Sequence, residues 1–130
     1  MRAKLTRREV AKRRARVVRL VEKLPETTVT QSGTHLSLEV RGKRFGWYLE
    51  NHHNDGELAL NCKASPAVAE SLATSAPEKF HVPKYVGHRG WVGLWLDLPR
   101  TDWWEVEAVL VEAYRMTAPK SQVAQLPHCD

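Results

Sequence analysis

The chain has 130 residues, 42% hydrophobic and 27% charged, with a net charge of +5. That suffices for one hydrophobic core of ordinary globular composition. No apolar run approaches the ~18–20 residues of a membrane-spanning helix, and two cysteines, Cys62 and Cys129, are too few for a disulfide scaffold. A cytoplasmic protein with reduced thiols and no membrane partner is expected. Arg19 and Glu22 interrupt the N-terminal apolar residues, unlike a secretory signal.

The charge is uneven. Residues 1–23 hold ten Lys and Arg against Glu9 and Glu22, a net +8, which leaves about −3 for the rest of a chain totalling +5. Residues 7–24 are predicted to form a helix. At ~100° per residue Val10, Val17, Leu20, Val21 and Leu24 share one arc, and Arg8, Lys12, Arg16 and Arg19 lie opposite. Arg13 and Lys23 interrupt the apolar arc, so the helix is expected to dock from about Arg16 onward, its first turns projecting. Pro25 ends it.

Thr27 to Val29 is predicted to open a sheet, with a turn at Gln31-Ser32-Gly33. Residues 35–41 alternate, with Leu36, Leu38 and Val40 on one face. Gly42-Lys43 turns the chain into a strand over 44–50, where Phe45, Trp47 and Leu49 alternate against Gly46, Tyr48 and Glu50. A polar loop over 51–56 leads to a strand over 57–63 with Leu58, Leu60 and Cys62 inward. Ser65-Pro66 caps a helix over 66–74. Residues 80–89 read as loop and 91–98 as the last long strand. Asp102 with Glu105 gives a capping-box-like start to a helix over 102–116. Residues 119–130 read as a flexible tail after a single domain over 1–118. Hairpin-length connections and period-2 strands predict an α+β two-layer fold, an antiparallel sheet with helices packed on one face.

Several spaced elements carry a resemblance: Leu24-Pro25-Glu26, Arg41-Gly42-Lys43-Arg44-Phe45, Leu60-Asn61-Cys62-Lys63, Pro83-Lys84-Tyr85, His88-Arg89-Gly90-Trp91-Val92 and Ala113-Tyr114-Arg115-Met116. Together, over roughly residues 7–120, they resemble the MmcQ/YjbR family of small bacterial proteins. The resemblance implies a two-layer α/β "double wing", similar to secretion-chaperone-like or CyaY-like arrangements, and DNA binding. Ala113-Tyr114 stands where the family pattern has Ser-Tyr, and the N-terminal basic load is heavier than the family pattern implies.

The functional expectation is sequence-independent nucleic-acid binding without catalysis. Arg8, Lys12, Arg13, Arg16 and Arg19 from the first helix, with Lys84 and Arg89 from the loop before Trp91, are the candidate phosphate contacts. Nothing suggests base-specific readout. A second candidate surface comprises Lys63, Tyr85, His88, Trp91 and Trp95, where cations beside aromatic rings suit an anionic ligand, a protein partner or a second copy in a homodimer. Trp104 points to the outer side of the last helix, a further contact hint. His52-His53-Asn54-Asp55 has no third ligand at metal-site spacing, and no nucleophile, paired-carboxylate or phosphate-loop motif is present. No cofactor, metal or catalytic residue is expected.

Overall fold

The structure, a computed structural model, describes residues 4–50, 57–84 and 89–126. Helix α1 (Arg7–Glu22) opens on a reciprocal capping box. The Glu9 N–H donates to Thr6 Oγ1 at 3.1 Å, and the Thr6 N–H donates to Glu9 Oε1 at 2.9 Å. These bonds hold the Glu9 carboxyl below its usual range, helped by Arg13 and Lys12. Val17 and Val21 are fully buried, and Leu5 and Val10 also pack against the core. The helix is thus seated along its length rather than from Arg16 onward. Arg13, which interrupts the apolar arc, turns inward and donates to the carbonyls of Leu96 and Leu98, the latter at 2.8 Å. Lys23, the other interruption, meets Glu107 at 3.8 Å.

Among the described residues six strands form one antiparallel sheet: β1 (Thr27–Ser32), β2 (His35–Val40), β3 (Lys43–Glu50), β4 (Leu58–Lys63), β5 (Phe80–His81) and β6 (Trp91–Trp95). Their order is β1-β2-β3-β4-β6-β5. Helix α2 (Pro66–Ser75) carries the chain from β4 to the edge strand β5, and β6 returns between them. Phe80 pairs with Leu94, making a strand where a loop was expected; two residues are too few to show alternation.

Arg41 and Gly42, at φ +52° and +79°, form the two-residue loop between β2 and β3, as a type I′ turn requires. A β-bulge follows. Glu39 pairs with Arg44 but Leu38 pairs with Gly46, leaving Phe45 extra. The bulge overturns the expected alternation of β3. Phe45 and Tyr48 are both fully buried towards the helices, and Trp47 and Leu49 take the opposite face. Gly46 is closely packed here: a Cβ would lie 3.1 Å from Leu38 Cδ1 and 3.3 Å from Cys62 Sγ, so a side chain would press on both.

Helix α3 (Trp103–Thr117) starts at Asp102, whose Oδ1 accepts from the N–H groups of Trp104 at 3.1 Å and Glu105 at 3.3 Å. Glu105 does not close a box; it pairs with Lys79 at 3.5 Å. The helices lie on one face of the sheet, giving the expected two-layer α+β architecture. The core joins Leu38, Tyr48, Leu60, Val92 and Leu94 of the sheet to Val17 and Val21 of α1, Ala69 of α2, and Val106, Leu110 and Tyr114 of α3. Each such large side chain contributes roughly 1.5–3 kcal/mol by leaving water. Part of the segment expected as a flexible tail forms helix α4 (Lys120–Val123), and Gln122 within it and Leu126 after it are buried. No helix among the described residues is long and apolar enough to cross a membrane.

Candidate nucleic-acid interface

Helix periodicity sets the first candidate surface. Arg8, Lys12, Arg16 and Arg19 are all exposed along the outer face of α1, over about 16 Å at 1.5 Å per residue. Lys12, Arg16 and Arg19 line a shallow groove closed by Thr101 and Trp103 from the start of α3. The Arg16 guanidinium lies over the Trp103 ring, 5.0 Å from its centroid, an arrangement that orders both. Among the described residues none of these four cations has a carboxylate within ion-pair distance. Arg14, Lys23, Arg41, Lys79 and Arg115 each do.

Arg13 does not belong to this surface. It borders the same groove, but its Nη1 is committed to the carbonyls of Leu96 and Leu98 beyond β6. Arg14 likewise donates to the Thr34 carbonyl at 2.7 Å and meets Glu50 at 3.5 Å. Lys84 and Arg89 stand apart from the helix stripe. Both are exposed, but Arg89 precedes β6 while Arg13 anchors α1 beyond its other end. The intervening strand is about 16 Å long at ~3.3 Å per residue. Tyr85 and His88 lie outside the described residues, as do His52 and His53.

The second candidate surface is the sheet face turned away from the helices. The register places Lys63 beside Trp91, Ala59 beside Trp95 and Asn61 beside Gly93 on that face. Trp91 is only 6% exposed, so it adds little to that candidate surface. Gly90, at φ +89°, packs so closely on Pro66 that a Cβ would come within 2.8 Å of Pro66 Cδ. Trp95 is half-buried, with His81 stacked on it at 4.0 Å. The His81 ring occupies the space a side chain at Gly93 would fill, within 2.2 Å of a Cβ there. Trp104, on α3, is 84% exposed.

The sequence reading missed three contributors. Trp103 is half-buried against the core and also forms a wall of the α1 groove. Trp47 reaches the open face only because of the bulge. Asn61 lay within a quoted motif without a role; a lone polar residue between Leu60 and Cys62 and opposite glycine was the available signal.

A family model described as YjbR matches residues 22–116. The span begins at the last residue of α1, so the basic stripe lies outside it. No curated protein matches the chain. Among solved structures the chain is similar to the crystal structure of Deinococcus radiodurans protein DR2400, with domain DUF419, at 18% identity and a TM-score of 0.64, covering 84% of this chain and 85% of that one. At that identity the likeness concerns the fold.

Proposed function

This chain belongs to the YjbR family, and on that fold we propose a non-enzymatic, cytoplasmic protein that binds duplex DNA through its phosphate backbone. The contacts are Arg8, Lys12, Arg16 and Arg19. One observation carries this reading: these four cations share one exposed helix face, and among the described residues none has a carboxylate within ion-pair distance, whereas Arg14 of the same helix pairs with Glu50. The Arg16–Trp103 contact holds one guanidinium in place, lowering the ordering cost of a phosphate contact. Arg13 is left out, because its Nη1 is committed to carbonyls within the fold. Lys84 and Arg89 form a separate patch and add nothing to a duplex bound along α1.

Fluorescence anisotropy with a labelled 20-base-pair duplex tests the reading. Four phosphate contacts give a slope of log K against log salt near −3.6, or roughly 100-fold weaker binding at 200 mM than at 50 mM salt. Binding that ignores salt, or none at 50 mM salt in the micromolar range, overturns it.

A further inference from the structure

We infer that the open face of the sheet is a second, separate site, which takes unpaired bases of single-stranded nucleic acid on a platform of Trp47 and Asn61. The register lines up Ser37, Trp47, Asn61, Gly93 and His81 on adjacent strands of that face. Neighbouring members stand about 4.8 Å apart. Asn61 is the anomaly in this row. It is 9% exposed, and its Oδ1, shielded from solvent, accepts no hydrogen bond among the described residues. A buried amide left unpaired costs stability, and a strand position between Leu60 and Cys62 would be filled at less cost by an apolar residue. The amide is explained if an arriving group donates to it.

The surroundings say what kind of group. Trp47, one strand away and half-buried, is held by a chain of contacts. Arg44 lies over its ring at 4.2 Å, Arg44 Nε donates to Ser37 Oγ at 2.8 Å, and Ser37 Oγ donates to Glu39 Oε2 at 2.7 Å. With Arg44 over one face of the indole, a base would stack on its other face, beside the hydrogen-bonding edge of the amide. A nucleobase presents the matching pair, a π-face and an N–H edge. Lys63 lies on the same face, and Lys84 and Arg89 lie at the end of β6 nearest Trp91, giving the backbone phosphates cations to meet. Bases within a duplex are stacked on one another and cannot reach a flat sheet, so the site selects single strands. The α1 stripe, on the other layer of the molecule, is not involved.

The test compares a labelled single-stranded 12-mer, an abasic 12-mer with the same phosphates, and a 20-base-pair duplex, each on wild type, Trp47→Ala, Asn61→Leu and the double variant Lys12→Glu, Arg16→Glu. The single strand is expected to bind at least about 10-fold tighter than the abasic strand, from stacking. Trp47→Ala is expected to remove that difference and leave duplex binding unchanged. Asn61→Leu is expected to weaken single-strand binding severalfold while its melting temperature holds or rises, because an unpaired buried amide has been replaced by a group of similar size. The α1 double variant is expected to lose duplex affinity and keep the preference for bases over abasic phosphates, so failure of the duplex reading is separable from failure of this one. Equal binding of normal and abasic strands overturns the inference without any variant. So does a melting temperature several degrees lower for Asn61→Leu, since the amide would then be satisfied within the fold.

Discussion

The Tyr114 hydroxyl donates to the Pro25 carbonyl at 2.7 Å, across 89 residues of sequence. Beside it, Glu26 and Arg41, both at positive φ, meet at 3.6 Å. Phe45 meets the Tyr114 ring edge-on with centroids 5.9 Å apart. Three of the sequence elements that carry the family resemblance therefore converge where the exit of α1, the β2–β3 hairpin and α3 meet. They hold the fold together rather than a ligand. Tyr114→Phe keeps the ring and removes the donor. It should cost about 1 kcal/mol in a urea unfolding curve and leave duplex affinity unchanged. A loss of affinity without a loss of stability would move Tyr114 out of this structural role.

Arg13 and Arg16 stand three residues apart on one helix and do different work. Arg13 donates to two carbonyls at the end of β6, and its removal strands part-buried acceptors. Arg13→Ala should destabilise the protein by roughly 1–3 kcal/mol while the folded variant binds duplex nearly as well as wild type. Arg16→Ala should do the reverse: a small change in stability, a loss of binding, and a salt slope shallower by about 1. Paired unfolding and anisotropy measurements on the two variants check the split. Equal effects of both on binding would mean that Arg13 leaves its carbonyls to reach phosphate.

Much of the architecture was legible because periodicity reports directly on burial. Val17 and Val21, Leu36 and Leu38, and Leu60 and Cys62 reach the core as their spacing predicts. The misses have local causes. The bulge at Phe45 adds one residue to β3, so an unbroken alternation puts Trp47 on the wrong face. Arg13 spoils an apolar arc only while its carbonyl partners, more than 80 residues away, are unseen. The candidate site was legible in part. Exposed cations follow helical spacing, so Arg8, Lys12, Arg16 and Arg19 were found. Trp103 and Asn61 depend on pairings between distant segments, which one-dimensional spacing does not contain.

The C-terminal segment offers a test of the docking of α4. Leu126 is 8% exposed within the core cluster, and Gln122 is buried beside it in sequence. Leu126→Ala should lower stability by about 2 kcal/mol, the low end for a Leu-to-Ala change near the protein surface. A tail that did not pack would leave the denaturation midpoint where it was. Since α4 touches α3 rather than the open sheet face, the substitution should leave both binding surfaces intact.

Stability should fall on the alkaline side. Burial pushes the Cys62 thiol far above its ordinary 9.0. Burial, then the Glu50 carboxylate, raise Tyr48, and burial, then Glu26, raise Tyr114, both from an ordinary 10.0. In each case the unfolded chain gives up its proton at a lower pH than the folded one. The stability these groups contribute is fully present below their ordinary values and is lost as the pH climbs from there towards the raised ones. For Cys62, wholly buried, the loss should begin near pH 9.0 and run at about 1.4 kcal/mol per pH unit. The tyrosines add to it above pH 10.0. Cys62→Ala shifts stability by a constant amount at every pH, so the slope is the informative quantity. Urea midpoints measured between pH 8 and 10 should fall with pH in wild type and stay nearly level up to about 10 in the variant. Parallel slopes would show that Cys62 ionises in the folded protein as readily as in the unfolded one.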